Sequence, residues 1–320
     1  MLDKGLCSSI VYSLVIAGAD VDIRDSDGFT VLHRAFMITK LHNINFIRCL
    51  LIFASANCDS RTRYGKTALH LRAQSGEGQN THHTQNAGHR NDVDSGVGDG
   101  IIVSALIHSG DMVNSIDDYG VTPLYYATGT GHVTIVQALL RAGANPNLSD
   151  RNHRLPLHTA IACYRIEVFE TLLEAGANID APNAEGCTPL HLAVRMDGGN
   201  NFVQILIQHN CDLNLGDNNG TTALHCTVTR GKKAYINALL LANANVNIQD
   251  EIGMTPLHYA VSTHYTAAMA SLESLSRTMV DMHITDRYGR TALHYALIKK
   301  ARTDIIYFLI RRDPTQVNFD

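Results

Sequence analysis

The sequence has no surplus of basic residues, no Cys-x-x-Cys pair and no apolar run of bilayer length. Thirty aspartates and glutamates outnumber 26 lysines and arginines, for a formal net charge of −4. Proteins that grip a nucleic-acid backbone normally show a strong basic excess, so no nucleic-acid partner is expected. The seven cysteines (Cys7, Cys49, Cys58, Cys163, Cys187, Cys211 and Cys226) are scattered and odd in number. That usage suits reduced thiols in the cytoplasm or nucleus better than a disulfide framework or a zinc site. Without a long apolar stretch, no membrane insertion is expected.

Catalytic signatures are missing as well. There is no Gly-x-Ser-x-Gly elbow, no Walker phosphate loop and no His-Glu-x-x-His zincin pattern. Gly96-Val97-Gly98-Asp99-Gly100 follows a loop, not a strand, and so is no dinucleotide fingerprint. His82, His83 and His89 lie near Asp92, Asp94 and Asp99, but their glycine-rich surroundings offer no rigid frame for a metal. The expectation is a protein that is not an enzyme and has no cofactor and no metal.

What the chain does contain is a period. Residues 120–150 read GVTPLYYATGTGHVTIVQALLRAGANPNLSD. The pattern returns from Thr122 at Leu155, Thr188, Thr222, Thr255 and Thr291, in steps of 33, 33, 34, 33 and 36 residues. Looser copies begin at Thr30 and Thr67. Self-similarity of this length marks a stacked repeat array, in which each unit rests on its neighbours and no single core limits length.

Each unit carries its own start and stop signals. Proline after the threonine (Pro123, Pro189, Pro256) or after Leu155 (Pro156) suits the first turn of a helix, where no N–H bond is lost. The threonine before it is a natural N-cap. Gly143 and Gly176 stand where a helix must end in a left-handed conformation, and Asn210 and Asn243 take that place in later units. Turn signals then recur, as in Asp117-Asp118-Tyr119-Gly120 and Asp286-Arg287-Tyr288-Gly289.

The chain reads as a single array over 1–320, with a half repeat at 1–28 and units starting near 28, 65, 120, 153, 186, 220, 253 and 289. Lys4 and the apolar run Leu6–Ala17 mimic a signal peptide. The copy of Ala142-Gly143-Ala144 at Ala17-Gly18-Ala19 assigns the run instead to the second helix of a repeat. Residues 76–100 contain almost no large apolar side chains, which predicts a disordered insertion between the two helices of one unit. Extra residues after Ala270 predict a displaced or longer second helix in the unit beginning at Thr255. The last unit stops as its turn is due, with no polar capping unit. This implies a longer natural protein or an end that docks on something else.

The Thr-Pro-Leu-His-x-Ala opening appears intact at Thr188–Ala193 and Thr255–Ala260. On it, the chain resembles the ankyrin repeat family. The resemblance implies an all-α solenoid of stacked helix-turn-helix units with projecting β-turn fingers. It implies a concave surface that binds other proteins, and fusion in some members to catalytic or channel domains. It also implies that His33, His70, His158, His191, His225, His258 and His294 hydrogen-bond the threonine and backbone at each turn, a structural and not a metal-binding role. Departures occur at Tyr125 in place of the histidine, Leu155 in place of the threonine, and Tyr164 in place of Gly131.

The residues that vary just before the turn glycines, with Arg151 and Asn152 just after the 120–150 stretch, are the candidate partner contacts. They are Arg63, Tyr64, Asp118, Tyr119, Arg151, Asn152, Asn218, Asn219, Glu251, Ile252, Arg287 and Tyr288. Tyrosine and arginine are enriched at binding hot spots. Tyr64, Tyr119 and Tyr288 recur at one position, either as an aromatic row for a partner or as packing between fingers. Arg195, Met196, Thr229 and Arg230 are weaker candidates on the concave side. The expected function is a non-catalytic interaction scaffold or adaptor for partner proteins. The alternative is the substrate-recognition part of a larger enzyme or complex, such as a ubiquitin ligase, or of an ion channel.

Overall fold

The structure is a computed structural model. It describes residues 13, 16–37, 47, 50–51, 55–75, 93–108, 112–263 and 265–313, excepting the side chains of 93–99 and 265. Among these residues the chain is helical, with one isolated β-bridge between Gly216 and Thr222 and no strand. It divides into two compact units, Met1–Asn178 and Ile179–Asp320.

The first unit contains α1 (Val31–Met37), α2 (Ala68–Gln74), α3 (Val93–His108), α4 (Pro123–Thr130), α5 (Val133–Arg141), α6 (Pro156–Ala162) and α7 (Ile166–Glu174). Helices α4 and α5 pair, as do α6 and α7, and each first helix packs on the next: α1 on α2, α2 on α4, α4 on α6. The second helices form their own layer, α3 on α5 and α5 on α7. The apolar stripes meet between these layers. Leu139, Phe169 and Leu172 are fully buried there, and each such side chain stabilises the fold by roughly 1.5–3 kcal/mol.

The second unit repeats the scheme with α8 (Pro189–Arg195), α9 (Asn200–Gln208), α10 (Ala223–Arg230), α11 (Lys233–Leu241), α12 (Pro256–Val261), α13 (Tyr265–Leu275), α14 (Ala292–Ile298) and α15 (Thr303–Arg312). Helices α8, α10, α12 and α14 stack in order, and α9, α11 and α13 stack beside them. With 11 residues, α13 is longer than α9 or α11 at nine each, as the extra residues after Ala270 require.

The helix ends follow the local signals. Asn210 and Asn243 adopt φ of 55° and 65° at the positions held elsewhere by Gly143 and Gly176. Thr188, Thr222 and Thr255 have extended backbone at the N-cap. Leu155 has no hydroxyl, so only its amide joins the cap, donating to His158 Nδ1 at 3.1 Å.

One boundary differs from expectation. Helix α3 begins at Val93, inside the stretch predicted to be disordered, and not at Ile101. Once Ile102, Val103 and Leu106 are anchored in the core, each residue added upstream gains one backbone hydrogen bond without a new nucleation cost. Propagation thus outruns the poor propensity of Gly96, Gly98 and Gly100. Residues 76–92, with His82, His83, His89 and Asp92, lie outside the described residues. So does most of the first predicted helix, save Ser13, Ile16 and Ala17.

Candidate partner-binding fingertips

Every finger is built on one side chain three residues before the left-handed turn position. Asp117 Oδ1 accepts the amides of Tyr119 and Val121, both at 2.9 Å. Asp150 does the same for Asn152 and Arg154, Asp217 for Asn219 and Thr221, Asp250 for Ile252 and Met254, and Asp286 for Tyr288 and Arg290. Asp25 serves the first finger, Thr62 Oγ1 the second and Asn183 the fifth. A side chain that accepts amides two and four residues on replaces the hydrogen bonds a sheet would supply, and fixes the tip backbone locally.

The second carboxylate oxygen ties the finger to a helix. Asp150 Oδ2 accepts from Arg154 Nη2 at 2.8 Å and from the Tyr125 hydroxyl at 3.2 Å. Asp286 Oδ2 accepts from Arg290 Nη2 at 2.7 Å and the Tyr295 hydroxyl at 2.8 Å. Burial alone would raise the Asp286 carboxyl. The guanidinium and amide of Arg290, the Tyr295 hydroxyl and the Tyr288 amide outweigh it and hold the group below the usual carboxylate range. The phenol of Tyr259 donates to Asp250 at 2.7 Å, and burial together with that carboxylate pushes it up to about 12.

Five neighbouring pairs of fingers are each joined by one backbone hydrogen bond. In the first unit the Asp118 amide donates to the Tyr64 carbonyl at 3.1 Å, and Arg63 to Asp27 at 3.4 Å. In the second, Asn218 donates to Glu185, Glu251 to Asn219 and Arg287 to Ile252, at 2.9–3.1 Å. The close approach requires glycine at the turn. A Cβ on Gly65 would sit 2.9 Å from the Asp118 amide nitrogen, and one on Gly220 would sit 3.0 Å from that of Glu251. His153 is the exception, holding φ of 55° without being glycine.

The threonine–histidine pairs lie behind the fingers. The Thr222 amide donates to His225 Nδ1 at 3.1 Å, and the Thr222 hydroxyl lies 2.9 Å from the same nitrogen. With Nδ1 an acceptor, the proton sits on Nε2, which faces the Met254 carbonyl of the next repeat at 3.1 Å. His70, His191 and His258 make the same bond to Val121, Thr221 and Arg290. Burial lowers the affinity of His33, His70, His191, His225 and His258 for a second proton, and brings His70 to about 4. In His70, His191, His225 and His258 both ring nitrogens are taken by these contacts.

All twelve candidate tip residues are exposed. Tyr64 and Tyr119 stand on adjacent fingers of the first unit, at 48% and 56% exposure. In the second unit Ile252 and Tyr288 occupy the equivalent position on adjacent fingers, at 44% and 75%. The tyrosine position is therefore interrupted by Asn152, Glu185, Asn219 and Ile252. Arginines flank two of the rings, Arg63 at 5.6 Å from the Tyr64 centroid and Arg290 at 4.5 Å from that of Tyr288. Ser26 with Asp27, and Ala184 with Glu185, hold the same finger position and were missed. The signal that finds them is a residue able to accept amides, Asp25 or Asn183, three places before a turn glycine.

The helix residues expected on the concave side are partly committed elsewhere. Arg195 Nη1 lies 3.1 Å from Cys187 Sγ, and its Nη2 pairs with Asp217 at 3.2 Å. Arg230 donates to the Arg195 carbonyl, and Thr229 to that of His225 at 2.8 Å. No cluster of three or more metal-ligating side chains occurs among the described residues, and none of their helices is long and apolar enough to cross a membrane.

The family model described as ankyrin repeats (3 copies) matches residues 96–183, 177–250 and 228–319. These spans cover well over half of the 320 residues, and the chain belongs to the ankyrin repeat family. Among solved structures it is similar to the ankyrin repeat domain of Bcl-3, described as a unique member of the IkappaB protein family. That likeness has a TM-score of 0.64 at 24% identity, over 77% of this chain and 99% of that one. No curated protein sequence matches the chain. Ankyrin repeats are, as a class, protein–protein interaction modules.

Proposed function

We propose that this protein is a non-catalytic scaffold that holds one or more partner proteins on its fingertips and the adjoining concave face. The observation that carries the reading is the division of labour within each finger. The base side chain and the turn residue recur, whereas the two residues between them change from finger to finger and face solvent. Their backbone is already immobilised by the base side chain and, in five neighbouring pairs of fingers, by an amide–carbonyl bond. Little ordering entropy is then lost on binding, and specificity falls to the side chains. Exposed Tyr64, Tyr119 and Tyr288, with Arg63, Arg151 and Arg287, are the residue types from which hot spots are made.

Five cysteines (Cys58, Cys163, Cys187, Cys211 and Cys226) are free thiols, which supports a reducing compartment, the cytoplasm or nucleus. The test is quantitative affinity capture from native lysate with the wild-type chain, with Tyr64→Ala/Tyr119→Ala and with Ile252→Ala/Tyr288→Ala. Loss of a defined set of partners from one double variant, with the fold intact, supports the reading. An unchanged set from both variants removes the fingertips as the binding surface.

A further inference from the structure

The sixth finger reads Asp217-Asn218-Asn219-Gly220, the one place in the chain where glycine follows asparagine. Asparagine is among the thermolabile residues. Its reaction is intramolecular: the next backbone nitrogen attacks the side-chain Cγ and closes a five-membered ring. Glycine favours the step because it has no Cβ to block the approach. Tethering of the nucleophile supplies a high effective concentration.

The structure leaves Asn219 open to this attack. The residue is exposed, and among the described residues no group bonds its side-chain amide. By contrast, Asn218 Nδ2 donates to the Ala184 carbonyl at 3.0 Å. Asn147 and Asn247 each donate through Nδ2 at 3.1 Å and accept an amide through Oδ1. Asn152 is also exposed, but His153 follows it with a side chain.

One restraint acts on the nucleophile. The Gly220 amide donates to the Asp217 carbonyl at 2.8 Å, so the turn must open before its nitrogen can attack. Here the sixth finger differs from three others. Asp117, Asp250 and Asp286 each accept a phenol from nine residues on, Tyr126, Tyr259 and Tyr295, at 2.7–2.8 Å. Cys226 holds that place after Asp217, whose Oδ2 has Arg195 Nη2 at 3.2 Å instead. A base side chain held by fewer bonds lowers the cost of local opening.

We propose that Asn219 is a self-modification site that resets the sixth fingertip. Hydroxide takes the Gly220 amide proton, and the nitrogen bonds to Asn219 Cγ. The bond from Cγ to the side-chain nitrogen breaks and ammonia leaves. Water then opens the succinimide. Addition at Cγ gives aspartate, and addition at the main-chain carbonyl gives isoaspartate, with the backbone lengthened by one carbon. One water is consumed, one ammonia is released, and nothing is oxidised or reduced. In isoaspartate, the Asn219 carbonyl that accepts the Glu251 amide at 2.9 Å becomes a free carboxylate, and the turn no longer closes in register. The chemistry does not depend on the fingertip reading, and its test needs no partner protein.

The test incubates the folded full chain at mildly alkaline pH. Peptide masses and methyl transfer by an isoaspartyl methyltransferase follow the product. Asn219 should accumulate it well before Asn147 or Asn247. Asn219→Gln should lose it, because closure would need a six-membered ring. Asp217→Ala frees the tip amides and should speed the reaction several-fold in the folded chain. In urea, where the finger is absent, that variant and wild type should react at one rate. Any of four outcomes overturns the proposal. These are reaction in urea but none in the folded chain, equal accumulation at Asn147 or Asn247, isoaspartate persisting at this position in Asn219→Gln, or a folded Asp217→Ala rate equal to wild type.

Discussion

His225 Nε2 stands 3.1 Å from the carbonyl oxygen of Met254, 29 residues further along the chain. One neutral imidazole thereby closes the start of its own helix through Nδ1 and fastens the next repeat through Nε2. A second proton on Nδ1 would put an N–H against the Thr222 amide, which has only a proton to offer.

Acid sensitivity follows. Five histidines have lowered proton affinity in the fold, mainly through burial. The unfolded chain therefore binds protons first, and stability falls as pH drops below the unfolded value near 6.5. For His70, at about 4 in the fold, the loss runs from about 6.5 down to 4 and amounts to something on the order of 3 kcal/mol. Urea midpoints measured from pH 7.5 to 4.5 should decline across this range. A flat profile would contradict the neutral-imidazole assignment.

Breaking one such bond should be costly at neutral pH. His225→Ala leaves the Met254 carbonyl and the Thr222 amide without their partner in a buried setting, a loss of about 2–4 kcal/mol. Chemical denaturation of the full chain measures it directly. Deprotection of the Thr222 amide in hydrogen exchange would locate the effect.

The turn residues give a pair of predictions with opposite signs. Gly220→Ala places a methyl 3.0 Å from the Glu251 amide nitrogen at φ of 73°, so it should destabilise by roughly 1–3 kcal/mol. His153→Gly relieves a left-handed non-glycine residue, and should stabilise by about 0.5–1 kcal/mol after the entropy of glycine is subtracted. Thermal melts of the two variants against wild type decide both.

Asp286 has a buried carboxylate that accepts two amides, one guanidinium and one phenol. Asp286→Ala should cost roughly 2–3 kcal/mol and speed amide exchange at Tyr288 and Arg290. By contrast, Tyr288→Ala removes a side chain that is 75% exposed, and should stay within about 0.5 kcal/mol of wild type. If instead Tyr288→Ala is the more damaging change, the ring is a structural part of the finger.

Much of the architecture was legible residue by residue. Proline after threonine, glycine or asparagine at a helix end, and aspartate three places before a turn glycine act within four residues, through bonds that need no distant partner. The α3 start at Val93 was not legible, because the core anchoring of Ile102, Val103 and Leu106 outweighs the local propensity of a glycine-rich run. The roles of the fingertips were legible only as variation. That Tyr64 and Tyr119 stand on adjacent fingers while Tyr288 belongs to the second unit follows from which finger hydrogen-bonds which.

The sequence by itself determined the repeat, its period, the helix starts and stops and the family, since all of these rest on local spacing. Tertiary structure decided which repeated residues are used up and which remain free. Val228, Val261 and Leu297 occupy the same place in nearly the same local pattern, yet only Leu297 is open to solvent. Burial at that position depends on what stacks against it from about 33 residues away, and that contact exists only once the chain has folded.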